Sequence, residues 1–301
     1  MPFDPIVFRT RALTAFVYAV VMMAGMLWNG WSFFCLFTLV HVGCWHEYGR
    51  LVNHIHPSAK GAVDVHLHSF SFVGWCAMIF ASGDLLSIGG NRALLGSIAG
   101  ISIPLLVGTV AYRHFYGRKP LTTLAFKALG LGLLYLSLPW TLLLYIRSGA
   151  PWMAGGVGTQ LAHGMAEVMG RTLPLIMIAS IWLNDTMAYL MGSFFGRTPL
   201  SRFSPKKTWE GTVAGVVLSV GLVTAAGVYG MHGEAWIYAW VSFLSSTIGS
   251  LGDLLESWLK RRAGVKDSGQ FMPGHGGFLD RFDSLLLAVP AVWLFCMIAL
   301  R

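Results

Sequence analysis

Asp253, Ser257 and Lys260 recur at intervals of four and three, so on a helix a carboxylate, a hydroxyl and an ammonium line one stripe. Asp280 and Asp283 stand three apart just after Gly276 and Gly277, and a helix starting there would set both carboxylates on one face. Two carboxylates on one face, with a third from a neighbouring helix, suit a hard divalent cation that keeps several waters and bridges substrate phosphates. Lys260, Arg261, Lys266 and Arg281 lie among them, and such groups suit phosphate oxygens. These residue types propose a metal-assisted reaction at a phosphate.

The elements that must carry them are unusual. The chain is 55% hydrophobic and 11% charged, too little polar surface for a soluble domain of 301 residues. It is expected to sit in lipid as an all-α polytopic protein, since a spanning helix needs roughly 20 mostly apolar residues. Nine such runs are read at 12–28, 31–47, 67–87, 93–112, 124–146, 172–195, 211–230, 235–257 and 284–300. The first five spans, 1–170, precede the catalytic spans and loops of 171–301 within one continuous membrane domain.

A net charge of +8 does not point to nucleic acid, because the charges are segregated. With the N-terminus inside, all but Arg92, Arg147, Arg171 and Arg301 of the 21 lysines and arginines fall on one side of the membrane. That side is therefore cytoplasmic, and the reactive stretch faces it. Cys35, Cys44, Cys76 and Cys296 are scattered through apolar runs and read as small buried hydrophobes rather than disulfides or a zinc site. The first span has no small-residue cleavage site after it and reads as retained.

Along the chain, His46 and Glu47 close the second span at the surface, and His54, His56, His66 and His68 read as loop histidines rather than metal ligands. Asp185 lies inside an apolar run, where a carboxylate costs at least about 2.5 kcal/mol unless it faces a cavity or a partner. It is about 16 Å of helix from Gly196, so a polar cleft must reach into the bilayer if Asp185 works with the later acids. Ser204 followed by Pro205 is a helix-start signal, and Lys206 and Lys207 add positive charge where a helix N-terminus would attract phosphate. The run beginning at Gly211 is glycine-rich, with Gly215, Gly221 and Gly227, which allows close helix packing.

From Ser257 to Asp283 the chain reads Ser-Trp-Leu-Lys-Arg, four residues, Lys-Asp, then Pro-Gly-His-Gly-Gly, two residues, Asp-Arg-Phe-Asp. This resembles the signature of the phosphatidate cytidylyltransferases, or CDP-diacylglycerol synthases. Ser204 to Gly211 and Asp185-Thr186-Met187-Ala188-Tyr189 resemble the same family, with Met187 standing where the family has glycine. The resemblance is specific over residues 181–284 and implies that phosphatidate attacks the α-phosphate of CTP, or of dCTP, releasing pyrophosphate. No dedicated base is needed, because a phosphate monoester is already an ionised nucleophile; the catalyst must neutralise charge and align two anions. In that scheme Asp253, Asp280 and Asp283 hold Mg²⁺, with room for a second cation. Lys260, Arg261, Lys266 and Arg281 steady phosphates, Lys206, Lys207 and Asp185 contact substrate, and Ser257, His275, Gly276 and Gly277 position the nucleotide. The expected setting is a bacterial inner membrane with the site facing the cytoplasm, and a homodimer is the one expectation for assembly. A CTP-dependent polyprenol kinase is the alternative and would release CDP; a transporter would show two matching halves, which are absent here.

Overall fold

The computed structural model describes residues 5–86, 119–149, 160–231, 234–271 and 276–299, with short pieces at 104, 107–109, 111–112 and 115–116. Most of the expected fourth span, the glycine-rich 150–159 and His275 lie outside the described residues. The chain divides into two compact units, Met1–Leu144 with Arg262–Arg281, and Tyr145–Arg261 with Phe282–Arg301.

In the first unit α1 (Pro5–Leu27) is followed directly by α2 (Gly30–Ile55). Asn29 makes the sharp join possible: its side chain accepts from Ser32 N at 2.8 Å while Ser32 Oγ accepts from Asn29 N at 3.0 Å, a reciprocal cap. After a 3₁₀ turn at Pro57–Ala59 come α3 (Lys60–Ala81), the short α4 (Gly83–Leu86), α5 (Thr123–Gly132) and α6 (Leu138–Arg147). A π turn, Leu133–Ser137, separates α5 from α6. It brings Ser137 Oγ to 2.9 Å from Trp45 Nε1 and 3.0 Å from His41 Nε2, a buried polar knot against α2. Around it Phe37 and Trp140 pack with ring centroids 5.3 Å apart.

The second unit contains α7 (Gln160–Phe195), a hairpin of β1 (Pro199–Ser201) and β2 (Ser204–Thr208), α8 (Trp209–Met231), α9 (Ala235–Arg262) and most of α10 (Leu279–Ala299). Glycine sets the α7–α8 contact: a Cβ on Gly211 would lie 2.6 Å from Ala188 O, and one on Gly215 would lie 2.8 Å from Asn184 O. Buried hydroxyls tie α7 to α8 and α8 to α9, with Ser219 Oγ donating to Ser180 O at 2.9 Å and Ser246 Oγ to Ser219 Oγ at 3.1 Å. A Cβ on Gly252 of α9 would lie 3.1 Å from Ser284 Cα, so α10 crosses there backbone to backbone.

Five helices among the described residues are long and apolar enough to cross a membrane: Pro57–Ala81, Thr123–Arg147, Val168–Phe195, Trp209–Met231 and Leu279–Ala299. Phe16, Val17 and Val20 of α1 and Val213 and Val217 of α8 are at least half exposed, as lipid-facing side chains are. The chain is an all-α membrane protein. The helices of the expected second and eighth spans, α2 and α9, run 26 and 28 residues, but their serines, histidines and charges dilute the apolar character.

Three expectations need correction. Ser204 and Pro205 start no helix: Ser204–Thr208 is a strand paired antiparallel with Pro199–Ser201, and the helix begins at Trp209, where Thr208 Oγ1 accepts from Gly211 N at 3.2 Å. Pairing across the turn satisfied backbone groups that a helix start would have left open. His66 and His68 belong to α3 rather than a loop, and His66 is fully buried. The sixth apolar run is part of a longer helix that starts at Gln160, before the expected 172.

Candidate functional site

The second unit gathers acids from three helices around one lysine. Lys207 on β2 forms an ion pair with Asp253 on α9. Its direction is set by a clamp at the base of the hairpin, where Glu210 accepts from Thr198 Oγ1 at 2.8 Å and from Arg197 N at 3.2 Å, and Trp209 N donates to Thr198 O. One turn beyond Asp253, Ser257 Oγ donates to Asp253 Oδ1 at 3.3 Å. Asp283 on α10 is 9% exposed; Asp253 acts on it as a like charge, while Lys260 and Lys207 act as opposite ones. Asp185 on α7 completes the group through its charge interaction with Lys207. Beside it, Asn184 is buried and donates to Ser250 Oγ at 3.2 Å, which pins α7 to α9.

Burial disfavours the Lys207 ammonium, but the carboxylates of Asp253, Asp185 and Asp283 outweigh it, so the pKa of Lys207 is raised above the ordinary lysine value. The lysine therefore stays charged. Lys260 pairs with Glu256 one turn back, and Glu256 is fully buried. Lys206 and Arg261 are exposed.

In the first unit, the turn before α10 is built on two further acids. Asp280 accepts from Gly277 N at 2.8 Å, Ser268 Oγ at 2.9 Å and Ser268 N at 3.0 Å. Glu47, 4% exposed on α2, accepts from Ser268 Oγ at 2.7 Å and from Phe278 N and Leu279 N at 2.9 Å. Its charge therefore sits on the otherwise unpaired N–H groups that open α10. The glycines serve this turn. Gly276 has φ +82°, and a Cβ there would meet Asp280 Oδ2; on Gly277 it would run into the Glu47 carboxylate. Lys266 and Arg281 are exposed in the same unit.

Thus Asp253, Asp283, Asp185, Lys207, Ser257 and Lys260 share the second unit, while Asp280, Gly276 and Gly277 belong to a hydrogen-bonded turn in the first. Among the described residues no group of three or more His, Cys, Asp and Glu side chains gathers closely enough to hold a metal ion. Within the first unit the Asp280 carboxylate is engaged by Ser268 and Gly277. Asp253 and Asp283 alone still offer hard oxygen donors, and one or two carboxylates are enough for Mg²⁺ that retains water and takes its other ligands from phosphates. The sequence reading set Glu47 at the surface end of the second span and gave it no role at this turn, whereas it is buried within α2; a carboxylate in an apolar helix was the available signal.

The model of the family described as the cytidylyltransferase family matches residues 9–299. Over 141 residues the chain is 45% identical to a phosphatidate cytidylyltransferase of Synechocystis sp., covering 46% of this chain and 48% of that protein. It is 36% identical over 189 residues to the phosphatidate cytidylyltransferase of Brucella abortus, covering 59% and 66%. With that of Helicobacter pylori it shares 38% over 136 residues, covering 45% and 51%. The matched stretches thus span between about half and two thirds of the length of these relatives.

Proposed function

The chain belongs to the cytidylyltransferase family, and from that premise we propose that it transfers the cytidylyl group of CTP to phosphatidate. An oxygen of the phosphatidate monoester bonds to the α-phosphorus of CTP, the bond from that phosphorus to the β-phosphate oxygen breaks, and pyrophosphate leaves with the electron pair. The observation that carries the reading is the grouping of Lys207 and Lys260 with Asp253 and Asp283 in a partly enclosed place. Both reactants are anions, so the site's work is charge neutralisation and alignment rather than proton removal.

Asp253 and Asp283 would hold Mg²⁺, which when bound supplies positive charge to the nucleotide phosphates. Lys207 leaves Asp253 for a phosphate oxygen when substrate enters, and its raised pKa keeps it cationic for that exchange. Lys260 supports the same oxygens from α9, with Arg261 and Lys206 at the rim. Ser257 orients Asp253 through its hydrogen bond. Asp280, Gly276 and Gly277 shape the turn before α10, and His275, Lys266 and Arg281 add substrate contacts from it. The strong segregation of Lys and Arg supports nine spans, a cytoplasmic N-terminus and a cytoplasmic site. The bacterial relatives support an inner-membrane location and CTP and phosphatidate as partners.

Supplying the purified chain with CTP and phosphatidate tests this. Equal release of pyrophosphate and CDP-diacylglycerol is the expected outcome, and release of CDP with no pyrophosphate would assign a lipid kinase instead. Repeating the assay with dCTP defines the nucleotide choice.

A further inference from the structure

The first unit contains a cleft of 520 Å³ lined by α2, α3, Gln270, Phe271 and Phe278. Its walls change character along α2. Leu39 and Val42, both more than half exposed, form an apolar end with the rings of Phe271 and Phe278, tilted at 30° with centroids 4.0 Å apart. One and two turns further along the same face, His46 and Arg50 enter the lining, joined by His68 from α3. All three are exposed, and among the described residues none has a side-chain partner. Glu47 also lines the cleft, and its carboxylate oxygens accept from Ser268 Oγ, Phe278 N and Leu279 N.

We infer that this cleft binds a membrane lipid with a phosphate monoester head, an acyl chain lying along Leu39 and Val42 and the phosphate on Arg50, His46 and His68. A guanidinium with two imidazoles matches an anionic phosphate with several acceptor oxygens, and Arg takes such a group in bidentate fashion. The apolar end argues for a lipid rather than a free phosphate, because aqueous phosphate gains nothing from Leu39, Val42 and Phe271. The identification of that lipid as phosphatidate rests on the proposed cytidylyl transfer; the cleft and its polarity do not.

The experiment is native mass spectrometry of the full chain in detergent, loaded with phosphatidate and without CTP. The unaltered chain is expected to retain phosphatidate in preference to phosphatidylcholine, and glycerol 3-phosphate should not displace it. Replacing Arg50→Gln together with His68→Gln, or Leu39→Trp alone, is expected to weaken retention roughly tenfold, the loss of one good charge-assisted contact or of the chain's seat. Leu39→Trp lies on an exposed face and so serves where the polar variant fails to fold. Equal retention by the unaltered chain and both variants, or equal retention of phosphatidylcholine, would overturn the inference, and displacement by glycerol 3-phosphate would overturn the lipid part. Because no CTP is present, loss of the cytidylyl-transfer reading shows only in the pyrophosphate assay and is told apart from loss of this one.

Discussion

Glu47 accepts a hydrogen bond from Leu279 N at 2.9 Å although 232 positions separate them, and through it α2 caps the first turn of α10. The same carboxylate also holds Ser268 Oγ and Phe278 N. Replacing Glu47→Ala leaves Phe278 N and Leu279 N without their acceptor, at roughly 1–3 kcal/mol for each one that water cannot reach, while Ser268 Oγ keeps Asp280. Glu47→Gln keeps an acceptor oxygen and loses less. Thermal unfolding in detergent should rank the unaltered chain above Glu47→Gln and that above Glu47→Ala; equal midpoints would show that this turn contributes nothing.

Asp280 and Asp283 share a helix but differ in what their carboxylates touch, and their variants should part company. Asp280→Asn puts an amide where Ser268 N, Ser268 Oγ and Gly277 N all need an acceptor, so it should lower the unfolding midpoint first. Asp283→Asn removes a charge from beside Asp253, Lys207 and Lys260. It should leave folding in place and cut pyrophosphate release by on the order of a hundredfold or more, the scale of losing one preorganised electrostatic group. A raised Mg²⁺ requirement in Asp283→Asn, read by titrating the metal, would accompany that loss if this carboxylate binds it.

Lys207 gives a prediction with a sign. Its pKa is raised in the folded chain, so its stabilising contribution is complete below the ordinary lysine value of about 10.4 and is lost as pH climbs through the higher folded value. The stability gap between the unaltered chain and Lys207→Met should therefore be flat through neutral pH and close only in strong alkali. Denaturant unfolding at stepped pH checks it, and a gap that closes between pH 6 and 8 would contradict it. Activity of Lys207→Met should fall by on the order of a hundredfold at neutral pH, since in the proposed reaction the lost ammonium would face developing phosphate charge.

Much of this cluster was legible before any coordinates, because Asp185, Asp253, Asp283, Lys207 and Lys260 are charges in an apolar chain and such charges need a reason to be there. What each carboxylate touches was not. An interval of three says that Asp280 and Asp283 start on one face, but a carboxylate in the first turn of a helix can bend back to cap the N–H groups before it, as Asp280 does with Gly277 N. Glu47 was hidden because its partners lie 221 and more positions away, where local pattern has no reach. The hairpin was hidden because Ser204 and Pro205 mimic a helix start, and only pairing with Pro199–Ser201 and the clamp from Glu210 decide for strand. Met187 shows the same limit: α8 approaches α7 through Ala188 and Gly192, so the residue that departs from the family pattern is not the one that sets the spacing.

Gly252 and Gly264 separate the two ways a glycine can matter. Gly264 has φ +70° with nothing within 4 Å of a built Cβ, so Gly264→Ala meets only backbone strain, about 1–2 kcal/mol for a left-handed residue. Gly252 is an ordinary helical position whose Cβ would lie 2.5 Å from Asp283 O and 3.1 Å from Ser284 Cα. No side chain can swing away to make room, because the obstacle is the backbone of α10. Gly252→Ala must push α10 from α9 and with it Asp283 from Asp253, so it should lose activity out of proportion to stability. Measuring unfolding midpoint and pyrophosphate release on both variants decides: Gly264→Ala should keep the activity expected of its folded fraction, while Gly252→Ala should fall well below it even where the protein is folded.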